Sequence, residues 1–91
     1  MIIARKILIS GLVQGVGFRF FAQRAAARHQ VRGYVKNLED GRVEAFVQGD
    51  EPTVKAFMED MNAGPYYARV EDIEETVLEP NKSLTAFLIE R

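Results

Sequence analysis

Residues 3 to 10, Ile-Ala-Arg-Lys-Ile-Leu-Ile-Ser, set Ile3, Ile7 and Ile9 on one face at period two, which predicts a strand although Leu8 interrupts the alternation. The next seven residues, Gly11-Leu-Val-Gln-Gly-Val-Gly17, hold three glycines, a density that weakens helix and strand alike. They predict a loop whose backbone amides can come close to a ligand. From Phe18 the period changes: Phe18, Phe21, Ala22, Ala25, Ala26 and His29 recur at helical spacing and make one stripe, while Arg19, Gln23, Arg24 and Arg28 fall off it. Arg19 therefore sits in the first helical turn, facing away from the core and toward the glycine loop.

Segments 31 to 38 and 42 to 48 flank Glu39-Asp40-Gly41, and the Asp-Gly pair predicts an antiparallel hairpin because glycine tolerates positive φ. Val43, Ala45 and Val47 alternate with Arg42, Glu44, Phe46 and Gln48, the pattern of a sheet with one covered face and one mostly wet face. Gly49-Asp50-Glu51-Pro52 then offers an N-cap, acids near the positive end of a helix dipole and a first-turn proline. Val54, Phe57, Met58 and Met61 continue at helical spacing until Gly64-Pro65 ends the helix. Two more extended segments, about 70 to 78 and 84 to 89, are separated by the turn-forming Glu79-Pro-Asn-Lys-Ser83. The order β-α-β-β-α-β with a short extra C-terminal strand predicts an α+β, ferredoxin-like split βαβ fold, with two helices on one face of an antiparallel sheet.

Composition narrows what such a fold can do. Ninety-one residues, 47% hydrophobic and 27% charged, suit a single domain over residues 1 to 91 with one core. The absence of cysteine excludes disulfides, thiolate catalysis, cysteine zinc sites and iron–sulfur clusters. Met1-Ile-Ile-Ala is followed at once by Arg5 and Lys6 rather than by a signal-peptide core, and no apolar run is long enough to span a bilayer. A cytoplasmic protein with no membrane partner is expected. With one histidine, no metal site and no cofactor are expected either, and His29 reads as a solvated or half-buried surface residue. Glu71-Asp72 and Glu74-Glu75 read as a solvated strand edge, which favours a monomer. No segment resembles the nucleophile elbow of a Ser-His-Asp enzyme.

The net charge of −1 hides an asymmetry: residues 1 to 38 carry seven Lys/Arg and no acid, and residues 39 to 91 carry five Lys/Arg and all thirteen acids. Either the halves neutralise each other on folding or the first half meets an anion. The glycine loop lacks the Gly-Lys-Ser/Thr ending of a Walker A sequence, and Phe20 stands where a dinucleotide fingerprint needs its third glycine. It nevertheless joins a strand to a helix N-terminus, where free N–H groups and the dipole favour a phosphate. The Arg19 fork could hold two phosphoryl oxygens at once. The alternative is a tight strand-to-helix connection that happens to be followed by a surface arginine.

Gly11-Leu-Val-Gln-Gly-Val-Gly-Phe-Arg19 closely resembles the first signature of the acylphosphatase family. Gly33-Tyr-Val-Lys-Asn37-Leu-Glu-Asp-Gly41-Arg-Val43, followed by Gly49, resembles the second, and Gly64-Pro65 with Ala68-Arg69-Val70 is similar to the family's segment after its second helix. Leu12, Tyr66-Tyr67 and the Phe87 to Arg91 ending depart from the family pattern, away from the implied chemistry. The resemblance implies metal-independent hydrolysis of a carboxyl–phosphate mixed anhydride to a carboxylate and inorganic phosphate. It places Arg19 and Asn37 in the family's two catalytic positions, and the amides of Gln14, Gly15, Val16, Gly17 and Phe18 in its phosphate cradle. The partners so implied are a small acyl phosphate and the phosphate product.

Those roles accord with elementary chemistry. An acyl phosphate carries a good carboxylate leaving group, so a site can work by positioning and by stabilising charge on the equatorial oxygens. The Asn37 amide can accept from and donate to a water but cannot take its proton. With no His, Asp or Glu among residues 11 to 19, a phosphoryl oxygen of the substrate is expected to take that proton. Two other classes compete. The first is a non-catalytic domain for acyl or carbamoyl phosphate: an accessory domain like those fused to a hydrogenase-maturation carbamoyltransferase would use the same motifs to bind carbamoyl phosphate, and a sensor of phosphorylated metabolites would keep the loop but could lose Asn37, which is present here. An RNA-binding module of the same element order would show several sheet-face aromatics and a basic balance, whereas this chain has a pI of about 5.8, so no nucleic-acid partner is expected.

Overall fold

The computed structural model describes residues 1 to 91 and contains five strands and two helices: β1 (Ile2–Leu12), α1 (Phe18–His29), β2 (Arg32–Asn37), β3 (Val43–Asp50), α2 (Glu51–Ala63), β4 (Arg69–Leu78) and β5 (Phe87–Ile89). One sheet orders the strands β4-β1-β3-β2-β5. β1 lies antiparallel between β3 and β4, and β2 is antiparallel to β3, as the split βαβ pattern requires. β5 then joins the far edge parallel to β2, so the antiparallel core of the sheet becomes a mixed sheet at its last strand.

The period-two and helical stripes meet in a single core. Ile7 and Ile9 of β1, Val35 of β2 and Val43, Ala45 and Val47 of β3 are covered by Phe18, Ala22, Ala25 and Ala26 of α1 and by Val54, Phe57 and Met61 of α2. The alanines let α1 lie close to the sheet, and Phe57 packs on Phe87 with ring centroids 5.6 Å apart. Where the helices meet, Nη2 of Arg28 and Nε2 of His29 each reach Asp60 Oδ2 at 2.7 Å. Burial pushes the Asp60 carboxyl up, but the hydrogen bonds from His29 and Arg28 outweigh it and hold the group below the usual carboxylate range. His29 is half-buried, as expected, although its acid comes from the other helix rather than from nearby sequence.

Two expectations need correction. Gly11 and Leu12 belong to β1 rather than to the loop: after a register shift at Ser10/Gly11 they pair with Val70 and Arg69. A Cβ at Gly11 would lie 2.1 Å from the Arg69 carbonyl oxygen, so that glycine serves a close strand approach, and the loop shrinks to residues 13 to 17. The second correction concerns the sheet face away from the helices. It is not mostly wet, since Phe46 and Gln48 are buried there. Tyr34 stacks on Phe46 at 6.0 Å, and the chain between β4 and β5 folds over the sheet. Gln48 anchors that cover: its Oε1 accepts the Asn81 N–H at 2.7 Å and its Nε2 donates to the Asn81 carbonyl at 2.9 Å.

Candidate active site at the carboxyl ends of β1 and β2

β1 and β2 run in the same direction on either side of β3, so the loop after β1 and the turn after β2 open at one end of the sheet. The loop is pinned at both ends by buried Val13 and Phe18. Between them Gly15 and Gly17 have φ of 75° and 78°, and a Cβ at either would meet nothing within 4 Å. Glycine is needed there for backbone conformation, and the space in front is open. Gly17 caps α1 without any side-chain bond, and the first helix-entry bond runs from the Phe21 N–H to the Gly17 carbonyl at 3.0 Å. The N–H groups of residues 14 to 20 accordingly donate to nothing within the protein. Free amides that run through left-handed glycines into a helix N-terminus are the kind of backbone arrangement that can accept an anion.

Arg19 follows in the first turn. Arg5, Arg28 and Lys36 pair with Glu75, Asp60 and Glu44, so folding does neutralise part of the charge asymmetry between the halves. Arg19 takes no part in that pairing and stays half-buried without a carboxylate partner. Beside it opens a cavity of about 560 Å³ walled by Phe20, Ile89 and Arg91, in the size range of small-molecule sites. Neither Asn37 nor the glycine loop lines this cavity. It adjoins β2 nonetheless, because Ile89 pairs with Val35 and the Glu90 N–H donates to the Val35 carbonyl at 2.8 Å.

Asn37 is the last residue of β2 and lies two positions beyond buried Val35, on the sheet face that carries the helices. Its half-buried side chain makes no hydrogen bond to the protein and does not cap the turn that follows. That turn is closed by the Leu38 N–H on the Arg42 carbonyl at 2.8 Å, the Gly41 N–H on the Leu38 carbonyl at 3.2 Å and the Arg42 N–H on Asp40 Oδ1 at 3.1 Å. The Arg42 backbone N–H beside Asp40, helped by its guanidinium, holds that carboxyl below its usual range and makes it a poor proton acceptor.

The sequence singled out Gln14 for its backbone amide, but its side chain has a place of its own. Nε2 donates to the carbonyls of Leu38 at 2.7 Å and Arg42 at 2.9 Å, which ties the loop to the turn next to Asn37. The structure thus gathers Gln14, Gly15, Val16, Gly17, Phe18 and Arg19 in one segment and brings the Asn37 hairpin against it through Gln14. No group of three or more His, Cys, Asp or Glu is placed to hold a metal ion. This arrangement can grip a phosphoryl group through backbone amides and Arg19 and can orient a small polar molecule at Asn37.

The family model described as Acylphosphatase matches residues 5–89. A curated acylphosphatase of Archaeoglobus fulgidus is 47% identical over 72 residues, which cover 79% of this chain and 81% of that protein. The crystal structure of acylphosphatase from Bacillus subtilis superposes with a TM-score of 0.93 at 36% identity, covering 100% of both chains. The crystal structure of HypF from T. kodakarensis contains a similar region, with a TM-score of 0.86 at 40% identity, covering 98% of this chain and 12% of that one. By fold, by both of its sequence signatures and by a match that runs almost end to end, the chain belongs to the acylphosphatase family.

Proposed function

We propose that this chain, as a single domain over residues 1 to 91, hydrolyses acyl phosphates by attack of water at phosphorus without a metal ion. Arg19 and the amides of Gln14, Gly15, Val16, Gly17 and Phe18 hold the phosphoryl group, and Asn37 aligns the water opposite the leaving group. The observation that carries this reading is the run of unpartnered N–H groups from residue 14 to residue 20, which includes Arg19 with its side chain free of any carboxylate partner. Water oxygen bonds to phosphorus as the bond from phosphorus to the carboxyl oxygen breaks, and the electron pair leaves with the carboxylate. One water proton passes to a phosphoryl oxygen, since Asn37 has no basicity at neutral pH and Asp40 is held by Arg42. The same reading makes the enzyme a cytoplasmic monomer without nucleic-acid partners. A net charge of −1 suits no polyanion, and the exposed acids of β4 discourage edge pairing.

The test is hydrolysis of benzoyl phosphate in ¹⁸O-water with excess chelator. Turnover that persists under chelation and places the label in inorganic phosphate is expected. A phosphate monoester with an alkoxide leaving group should not turn over, because no general acid stands in the site. Loss of activity on chelation, or label in the benzoate, would contradict the reading.

A further inference from the structure

We infer that the side chain of Gln14 is a positioning residue, setting the Asn37 hairpin against the phosphate loop. This rests on the hydrolase reading above and goes beyond it. Each of the two carbonyls that Gln14 reaches already has a backbone donor, since the Leu38 carbonyl accepts the Gly41 N–H and the Arg42 carbonyl accepts the Leu38 N–H. The hairpin therefore closes without Gln14. The loop is likewise anchored without it, by buried Val13 and Phe18.

What the two extra bonds do is join parts of the chain 24 and 28 residues apart, the loop on one side and the turn on the other. Leu38 follows Asn37 directly, so its peptide cannot shift without carrying Asn37 along. Phosphate binding needs only the loop amides and Arg19, whereas in-line attack also needs the water held at the right place relative to phosphorus. A displacement of about 1 Å is enough to cost on the order of 100-fold in rate. The length and chemistry of glutamine are both specified: asparagine keeps the donors one methylene short, methionine keeps the length without donors, and glutamate turns an oxygen toward two carbonyl oxygens.

The experiment is a double-mutant cycle between Gln14→Met and Asn37→Ala, with kcat for benzoyl phosphate and the inhibition constant of inorganic phosphate as readouts. In the wild-type background Gln14→Met should lower kcat by about 10- to 100-fold and leave phosphate inhibition essentially unchanged. In the Asn37→Ala background the same substitution should add little further loss, because the group it positions is gone. Circular dichroism establishes folding, and Gln14→Glu takes the place of the methionine variant in the cycle should the latter unfold. Losses that multiply, or phosphate affinity that falls in step with kcat, would overturn the inference while leaving the hydrolase reading intact. An inactive wild-type protein would overturn both.

Discussion

Arg19 and Asn37 differ from most polar residues around them in that neither side chain is committed to the fold. Lys36, Arg42 and Glu44 all have protein partners, and Asp40 rather than Asn37 holds the turn. The two candidate catalytic side chains were legible in the sequence through the motifs that contain them. The bridge made by Gln14 was not, because its acceptors are backbone carbonyls far along the chain and carry no residue-type signal. Like Gly15, Gly17 has a left-handed φ, 78°, with open space around it, so Gly17→Ala meets no clash and bears only the backbone penalty. That penalty is about 1–2 kcal/mol, roughly 4–8 °C in Tm per kcal/mol for a domain of this size. Thermal denaturation with a parallel phosphate-binding measurement should show a lower Tm and weaker binding, and a variant unchanged in both would argue against the loop geometry.

Strands and helices came out of the local periods because each period is set by which face meets the core. Residues 18 to 29 show this directly, with the buried members of the stripe at Phe18, Ala22, Ala25 and Ala26. The failures have the same physical origin. Gly11 and Leu12 lie in β1 because Arg69 and Val70 arrive to pair with them, which no local pattern encodes. Phe46 and Gln48 are buried by Tyr34 and by a cover anchored at Asn81, again a matter of distant chain. Gln48→Ala orphans the Asn81 N–H and carbonyl, so a loss of about 1–3 kcal/mol in stability is expected. Activity of the folded protein should be unchanged, since Gln48 pairs with Ala4 and Arg32 at the end of the sheet away from Asn37. Denaturant unfolding and kcat on the same sample check both halves of that statement.

The contact between α1 and α2 carries a pH dependence. Asp60 ionises more readily folded than unfolded, its carboxyl lying below the ordinary value of 3.8. The stabilisation is therefore complete above the unfolded pKa and disappears as the pH falls through the lower folded value. Because Asp60 is nearly a third exposed, the contribution is no more than about 1 kcal/mol. Asp60→Asn should lower stability at neutral pH by that small amount, and the difference should shrink as the pH falls below the ordinary value of 3.8 and close only below the lower folded value. Parallel urea titrations across this range would contradict the assignment if the difference persisted unchanged into acid.

Over the whole molecule, the charge asymmetry read from the sequence resolves into two parts. Arg5, Arg28 and Lys36 find acids from the second half, while Lys6, Arg19, Arg24 and Arg32 find none, and of these four Arg19 stands at the helix entry beside the glycine loop. Element order and fold class were legible because short, right-handed connections leave few arrangements that bury both helical stripes on one sheet. The direction of β5 and the cover on the opposite face were not, since both depend on how the last connection crosses the molecule. At this scale the central claim is a division of labour at one end of the sheet: the loop and Arg19 bind the phosphoryl group, and Asn37 directs the water. The measurement that tests it most directly compares kcat and inorganic-phosphate binding, in chelator, for the wild type, Arg19→Gln and Asn37→Ala after each is shown to fold. Arg19→Gln should lose phosphate affinity together with about 10²–10³-fold or more in rate. Asn37→Ala should bind phosphate like the wild type yet turn over far more slowly. Wild-type turnover in either variant, or a loss of phosphate binding in Asn37→Ala equal to its loss of rate, would contradict the account.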